Sequence, residues 1–221
     1  MISATTALAR LRDGNRRFAA GVRSVDAFVN RDRRTEFLDG QSPFAVVLGC
    51  SDSRVPVEIV FDQGLGDLFV VRVAGNVVAP SQVGSVEFAV ERFGTRLVVV
   101  LGHTGCGAVL ATLEELRRPA ERQSPNLRSI VDRIRPSVEP LLVEDRTRDP
   151  EDLARAAVRA NVRVAADHLR HGSGILEQLI RDGGLMVVGA EYSLETGTVE
   201  FFDGVPKAAG ADRDIRRESS E

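Results

Sequence analysis

Arg96-Leu-Val-Val-Val-Leu-Gly-His103 holds five consecutive aliphatic residues with no polar alternation. A strand with one wet face alternates apolar and polar side chains. One that is apolar throughout is covered on both faces, as in a parallel sheet under helices. Phe44-Ala-Val-Val-Leu-Gly-Cys50 upstream has the same character, as do Asp67-Leu-Phe-Val-Val-Arg-Val73 and Leu185-Met-Val-Val-Gly-Ala-Glu-Tyr192. Between these runs the spacing turns helical: a short stretch over 57–61, one over 81–93 stopped by Gly94, and one opening at Gly105-Cys-Gly107 and running to about Arg117. Three more helical patterns cover 126–143, 152–169 and 174–181, with Pro136 and Pro140 expected to kink or end the first of them. Thr198-Val-Glu-Phe-Phe202 follows a turn at Glu195-Thr-Gly197 as a fifth strand.

The pattern predicts an α/β fold: a central, mainly parallel sheet of four strands plus a fifth edge strand, with helices on both faces. Residues 3–20 form an amphipathic helix ahead of it, with Leu8, Leu11, Asn15 and Phe18 on one stripe and Gly21 as the stop. The expected division is an N-terminal helical arm over 1–42, the α/β domain over 43–203 and a polar tail over 204–221.

Composition narrows the function. Of 221 residues, 43% are hydrophobic and 28% charged, with a net charge of -3, the balance of a soluble globular protein. The longest apolar runs fall far short of the roughly 20 residues that span a bilayer. Nucleic-acid binders usually carry a basic excess, which is lacking here, so neither membrane nor nucleic acid is an expected partner. Lysine occurs once, at Lys207, which excludes a P-loop phosphate clamp and a buried Schiff-base lysine. Two cysteines do not make a disulfide scaffold, and residues 1–21 lack the apolar core of a secretory signal. The expected compartment is the cytoplasm, where cysteines are catalytic, metal-bound or simply buried.

In an open parallel sheet, ligands bind beyond the carboxyl ends of the strands. One predicted strand ends at Cys50, and another ends at His103 with Cys106 three residues later, where a helix begins. Taken singly, each is most simply a core residue. Together they offer two thiolates and an imidazole, a donor set suited to zinc, and three protein ligands leave a fourth position open, the catalytic arrangement. The helix start behind Cys106 favours its thiolate. Asp52 and Arg54 leave the sheet in the same loop as Cys50; Asp52 either fills the fourth position or pairs with Arg54. A phosphatase loop is excluded, because Arg54 lies only four residues after Cys50.

Cys50-Ser-Asp-Ser-Arg54 followed by His103-Thr-Gly-Cys106-Gly107 resembles the β-class carbonic anhydrases. Phe61-Asp-Gln-Gly-Leu-Gly-Asp-Leu-Phe-Val-Val-Arg72, Ala74-Gly-Asn76 and Gly189-Ala-Glu-Tyr-Ser-Leu-Glu-Thr-Gly197 extend the similarity over roughly residues 8–203. The resemblance implies one zinc per subunit on Cys50, His103 and Cys106, with Asp52 and Arg54 as the dyad governing its fourth site. It implies that Gln63 donates to bound substrate across a dimer interface and that the Gly107 amide lies near the reacting oxygen. It further implies a homodimer or homotetramer with the N-terminal helix laid over the partner. The expected reaction is reversible hydration of carbon dioxide to bicarbonate by a zinc-bound hydroxide. Alternatives on the same scaffold are hydrolysis of carbon disulfide or carbonyl sulfide, and a catalytically silent zinc sensor. Some relatives hold an inhibitory bicarbonate with a tryptophan, an arginine and a tyrosine. Val47 stands at the tryptophan position here, with Arg72 and Tyr192 at the other two, so that inhibition is not expected. Neither His168 nor His171 is expected to shuttle protons.

Overall fold

The computed structural model describes residues 2–22, 38, 40–118, 124–144 and 149–206. Most of the 22–42 connector and all of the tail from residue 207 lie outside the described residues.

Five strands make one sheet: β1 (Ala45–Gly49), β2 (Leu68–Arg72), β3 (Leu97–His103), β4 (Met186–Tyr192) and β5 (Val199–Asp203). Their order is β2-β1-β3-β4-β5. The first four are parallel and β5 is antiparallel to β4, because only a six-residue turn separates them and a parallel return needs a longer crossover. Helices α1 (Ala4–Ala19), α2 (Val57–Val60), α3 (Pro80–Arg92), α4 (Gly107–Arg117), α5 (Pro125–Glu144), α6 (Pro150–His171) and α7 (Gly174–Asp182) complete the described fold. Among the described residues no helix is long and apolar enough to cross a membrane.

Continuous aliphatic runs bury both faces because successive side chains point to opposite sides. Val47, Leu97, Val99, Leu101 and Val188 meet α1 and α2 on one face, while Val46, Leu48, Val98, Val100 and Val187 meet α3, α6 and α7 on the other. A third cluster gathers Cys50, Cys106, Val77, Val109, Ile134 and Val158 beneath α4, α5 and α6.

The apolar stripe of α1 packs against the chain's own sheet: Leu8 and Leu11 are buried among Val55, Val57 and Phe61. Asn15 is fixed there, donating to the carbonyls of Val60 (3.1 Å) and Gly197 (2.9 Å) and accepting from the Val199 amide (2.8 Å). A Cβ on Gly14 would lie 1.8 Å from the Phe61 oxygen, so this helix can approach so closely only with glycine at that point. Of the two outcomes expected at Pro136 and Pro140, a kink or an end, the helix does not end: α5 continues through both. Ile134 and Val138 on either side of Pro136 are buried, so tertiary packing outweighs the backbone bonds that the prolines remove.

Candidate metal centre

The order β2-β1-β3-β4 makes the chain step one way from β1 to β2 and the other way to β3. The carboxyl ends of β1 and β3 therefore flank the switch point of the sheet, where open α/β folds place their crevice. In register Gly49 pairs with Leu101, so Cys50 leaves β1 beside the end of β3, where His103 sits. Gly105, at φ +64°, turns the chain back, and Cys106 caps the start of α4.

The result is a buried cluster. The ligand atoms of Cys50, His103 and Cys106 all lie within 4.8 Å of one another, and the two sulfurs are 4.0 Å apart. Two sulfurs each about 2.3 Å from a tetrahedral zinc are separated by about 3.8 Å. His103 is fully buried; its Nδ1 lies 3.0 Å from the Thr104 carbonyl, which assigns the ring proton there and turns Nε2 inward. That Nε2 is buried without a hydrogen-bond partner among the described residues, as a metal-ligating nitrogen requires. Thr104 is tied to the β4–β5 hairpin, its amide donating to the Tyr192 carbonyl (3.0 Å) and its hydroxyl accepting from the Leu194 amide (3.0 Å).

The charge chemistry fits a dication. Cys50 is pulled well below the ordinary thiol range, chiefly by Cys106 against the opposing effect of burial, with His103 and the amides of Asp52 and Gly75 adding to it. Cys106 is pushed up, first by its bond to Cys50, then by burial and by the charge on Cys50, although the amides of Val109 and Ala108 at the head of α4 favour its thiolate. One thiolate forms readily and the second is opposed. A divalent cation between them lets both ionise.

Asp52 and Arg54 form the expected pair. Arg54 donates through Nε to Oδ1 (2.9 Å), through Nη2 to Oδ2 (2.7 Å) and through its amide to Oδ1 (3.0 Å). This bonding holds the Asp52 carboxyl far below the usual range, so it stays ionised. Its Oδ2 lies 3.8 Å from His103 Nε2. Arg72 at the end of β2 braces the same loop, donating to the carbonyls of Cys50 (3.0 Å) and Asp52 (2.7 Å). Val47 is buried inside the sheet, and burial pushes the Tyr192 hydroxyl up.

Gln63 does not join this cluster within the chain. It is buried, accepting from Arg10 Nε (3.0 Å) and donating to the Phe61 carbonyl (2.7 Å). Gly107 opens α4 directly after Cys106, and a Cβ there would meet nothing within 4 Å. Sequence reasoning missed Arg72 as a brace and two residues beneath Cys50: Gly75, whose amide donates to the Cys50 sulfur at 3.4 Å, and Asn161, which donates to the Gly75 carbonyl at 2.8 Å. No local pattern links Asn161, 86 residues on, to the motif it supports.

The carbonic anhydrase family model matches residues 45–199. A carbonic anhydrase of Mycolicibacterium smegmatis is 43% identical over 191 residues, 86% of this chain and 89% of that protein. Carbonic anhydrase 2 of Mycobacterium tuberculosis is 38% identical over 195 residues, 88% of this chain and 91% of its own length. Among solved structures, the β-carbonic anhydrase CafA of Aspergillus fumigatus superposes with a TM-score of 0.69 at 26% identity, covering 92% of both chains. The sheet order, the Cys-His-Cys cluster at its switch point and these likenesses agree, and the chain belongs to the β-class carbonic anhydrase family.

Proposed function

We propose that Cys50, His103 and Cys106 hold one zinc ion per chain and that Asp52, Arg54, Gln63 and Gly107 bind and orient the reactants around it. The reaction is the family's: the chain is a carbonic anhydrase, interconverting carbon dioxide and water with bicarbonate and a proton. The observation that carries the assignment is the 4.0 Å pair of sulfurs beside the unpartnered His103 Nε2.

When bound, zinc acts as a Lewis acid that lowers the pKa of a water from 15.7 toward about 7, so that hydroxide is available near neutral pH. The remaining work falls to the chain. Arg54 occupies both oxygens of Asp52, which keeps the carboxylate committed to the guanidinium instead of closing the metal as a fourth ligand. Ionised and on the His103 side, Asp52 Oδ2 accepts a hydrogen bond from the attacking water and fixes which way it faces. The Gly107 amide, at the head of α4, donates to the charge that develops on bicarbonate oxygen. Gln63 uses one amide hydrogen on Phe61 and has a second to offer. Its place apart from the cluster supports donation to the substrate of a neighbouring subunit, and hence a homodimer or a tetramer built from dimers. The released proton passes to solvent.

The family match falls inside the block read as the catalytic domain, 43–203, with 1–42 as an arm and 204–221 as a tail. Two free thiols serving as ligands suit a reducing compartment, and we place the protein in the cytoplasm.

Stopped-flow hydration of carbon dioxide on the parent and on Cys50→Ser, with zinc content measured on both, tests the reading. The variant is expected to lose zinc and activity together. Full activity in a zinc-free Cys50→Ser overturns it.

A further inference from the structure

Beneath Cys50 lies a bonded chain that the reaction does not touch. The Gly75 amide donates to the Cys50 sulfur (3.4 Å), and the carbonyl of the same residue accepts from Asn161 Nδ2 (2.8 Å). Gly75 stands at φ +67° inside a short 3-10 turn, Ala74–Asn76, which the Asn76 amide closes by donating to the Val73 carbonyl (3.0 Å). A Cβ there would strike Ile134 Cδ1 at 2.8 Å. Asn161 is buried, and its amide is the side-chain group that grips this turn.

The position of Asn161 is in turn set by the sheet. Val162, the next residue of α6, sits over two glycines of adjacent strands. A Cβ on Gly102 would lie 2.5 Å from Val162 Cγ2, and one on Gly189 would lie 2.8 Å from Val162 Cγ1. Gly102 immediately precedes His103. So α6 is seated on β3 next to one ligand and reaches, through Asn161 and Gly75, to the sulfur of another.

We infer that Asn161 is a positioning residue for the Cys50 ligand. It holds the Gly75 turn so that the Gly75 amide stays aimed at the sulfur, and it keys that geometry to the strand carrying His103. The inference rests on the reading of Cys50 as a zinc ligand. An N–H bond to a thiolate orients it and draws off some of its charge, and outer partners of this kind are worth about 10–100-fold in metal affinity. Losing Asn161 removes the side-chain hold on the Gly75 carbonyl, so the Gly75 amide is no longer kept aimed at the sulfur and the ligand is less well oriented.

The test compares the parent with Asn161→Asp, which keeps the size but places a carboxylate against the Gly75 carbonyl. Asn161→Ala, which removes the donor without adding charge, repeats the measurement should the first variant not fold. Asn15→Ala serves as a control, because Asn15 also grips backbone carbonyls but bonds to Val60, Gly197 and Val199. Zinc affinity is read by competition with a chromophoric chelator, and the thiolate-to-metal charge-transfer band is read on the cobalt(II)-loaded proteins. Asn161 variants are expected to bind zinc about 10–100-fold more weakly and to shift the cobalt band, with Asn15→Ala matching the parent in both. An Asn161 variant whose affinity stays within about twofold and whose band is unmoved overturns the proposal. If Cys50→Ser leaves the parent's band unchanged, the ligand assignment itself has failed.

Discussion

Asp52 and Arg54 face each other through two parallel contacts, Oδ1 to Nε at 2.9 Å and Oδ2 to Nη2 at 2.7 Å, and the same Oδ2 lies 3.8 Å from His103 Nε2. One carboxylate thus stands between a fixed cation and the metal cluster. Lysine cannot reproduce a two-point bond. Arg54→Lys and Arg54→Ala are expected to free Asp52 to turn toward the metal, lowering kcat/KM by roughly tenfold or more. Stopped-flow assays check this, and an Arg54→Lys enzyme with parental kcat/KM contradicts it.

The same pair sets a pH dependence of stability. Asp52 is depressed in the folded chain, chiefly by its bond to Arg54. Its contribution is therefore complete above the unfolded carboxylate pKa, near 3.9, and is lost as pH falls from there through the lower folded value. The stability gap between parent and Asp52→Asn is expected to be constant from about pH 5 to 8 and to shrink only below about pH 4. Denaturant unfolding across that range measures it; a gap that closes near pH 6 points to a different group.

Activity has its own pH profile. Two thiolates cancel the formal charge of zinc, whereas three neutral imidazoles would leave it intact, so this donor set acidifies water less strongly. Hydration is expected to be slow at mildly acidic pH and to rise as the solution becomes alkaline. A profile that is flat from about pH 6 to 9 is incompatible with this donor set.

Close packing of α1 on the sheet gives a prediction remote from the metal. Ala at position 14 would place a Cβ 1.8 Å from the Phe61 carbonyl oxygen and 2.7 Å from Gln63 Nε2. Backbone cannot yield as a flexible side chain does, so Gly14→Ala is expected to cost about 1–3 kcal/mol despite its higher helix propensity. Urea denaturation checks the sign, and a stabilised variant would show that α1 does not seat as described. Because Gln63 bonds beside this contact, substrate KM is expected to rise as well.

Much of this was legible in the sequence because burial on both faces leaves a strong mark. The run Leu97–His103 could not have been a half-wet strand, and Cys50 and His103 stand at the ends of such runs, where a crevice belongs. The pairing of Asp52 with Arg54, two residues apart, was also readable. What escaped was carried by contacts between distant segments. Asn161 looks like any polar residue in a helix until α6 is laid over Gly75. Arg72 reads as a strand-end charge until the loop after β1 folds across it. The prolines of α5 argued for a kink or an end, and only the buried Ile134 and Val138 show why the helix does not end there.

The pairing of Gly49 with Leu101 has a consequence for how the protein tolerates change in length. The two candidate ligands that leave β1 and β3, Cys50 and His103, meet because those strands are aligned, not because of how many residues lie between them. Additions at surface turns far from the crevice, such as the one at Gly183 and Gly184 ahead of β4, leave that alignment untouched and should be absorbed. One residue added within Ala45–Gly49 would carry Cys50 about 3.3 Å along the strand and turn it to the other face of the sheet. A single insertion there is expected to dismantle the Cys-His-Cys cluster while leaving each of its residues in the sequence.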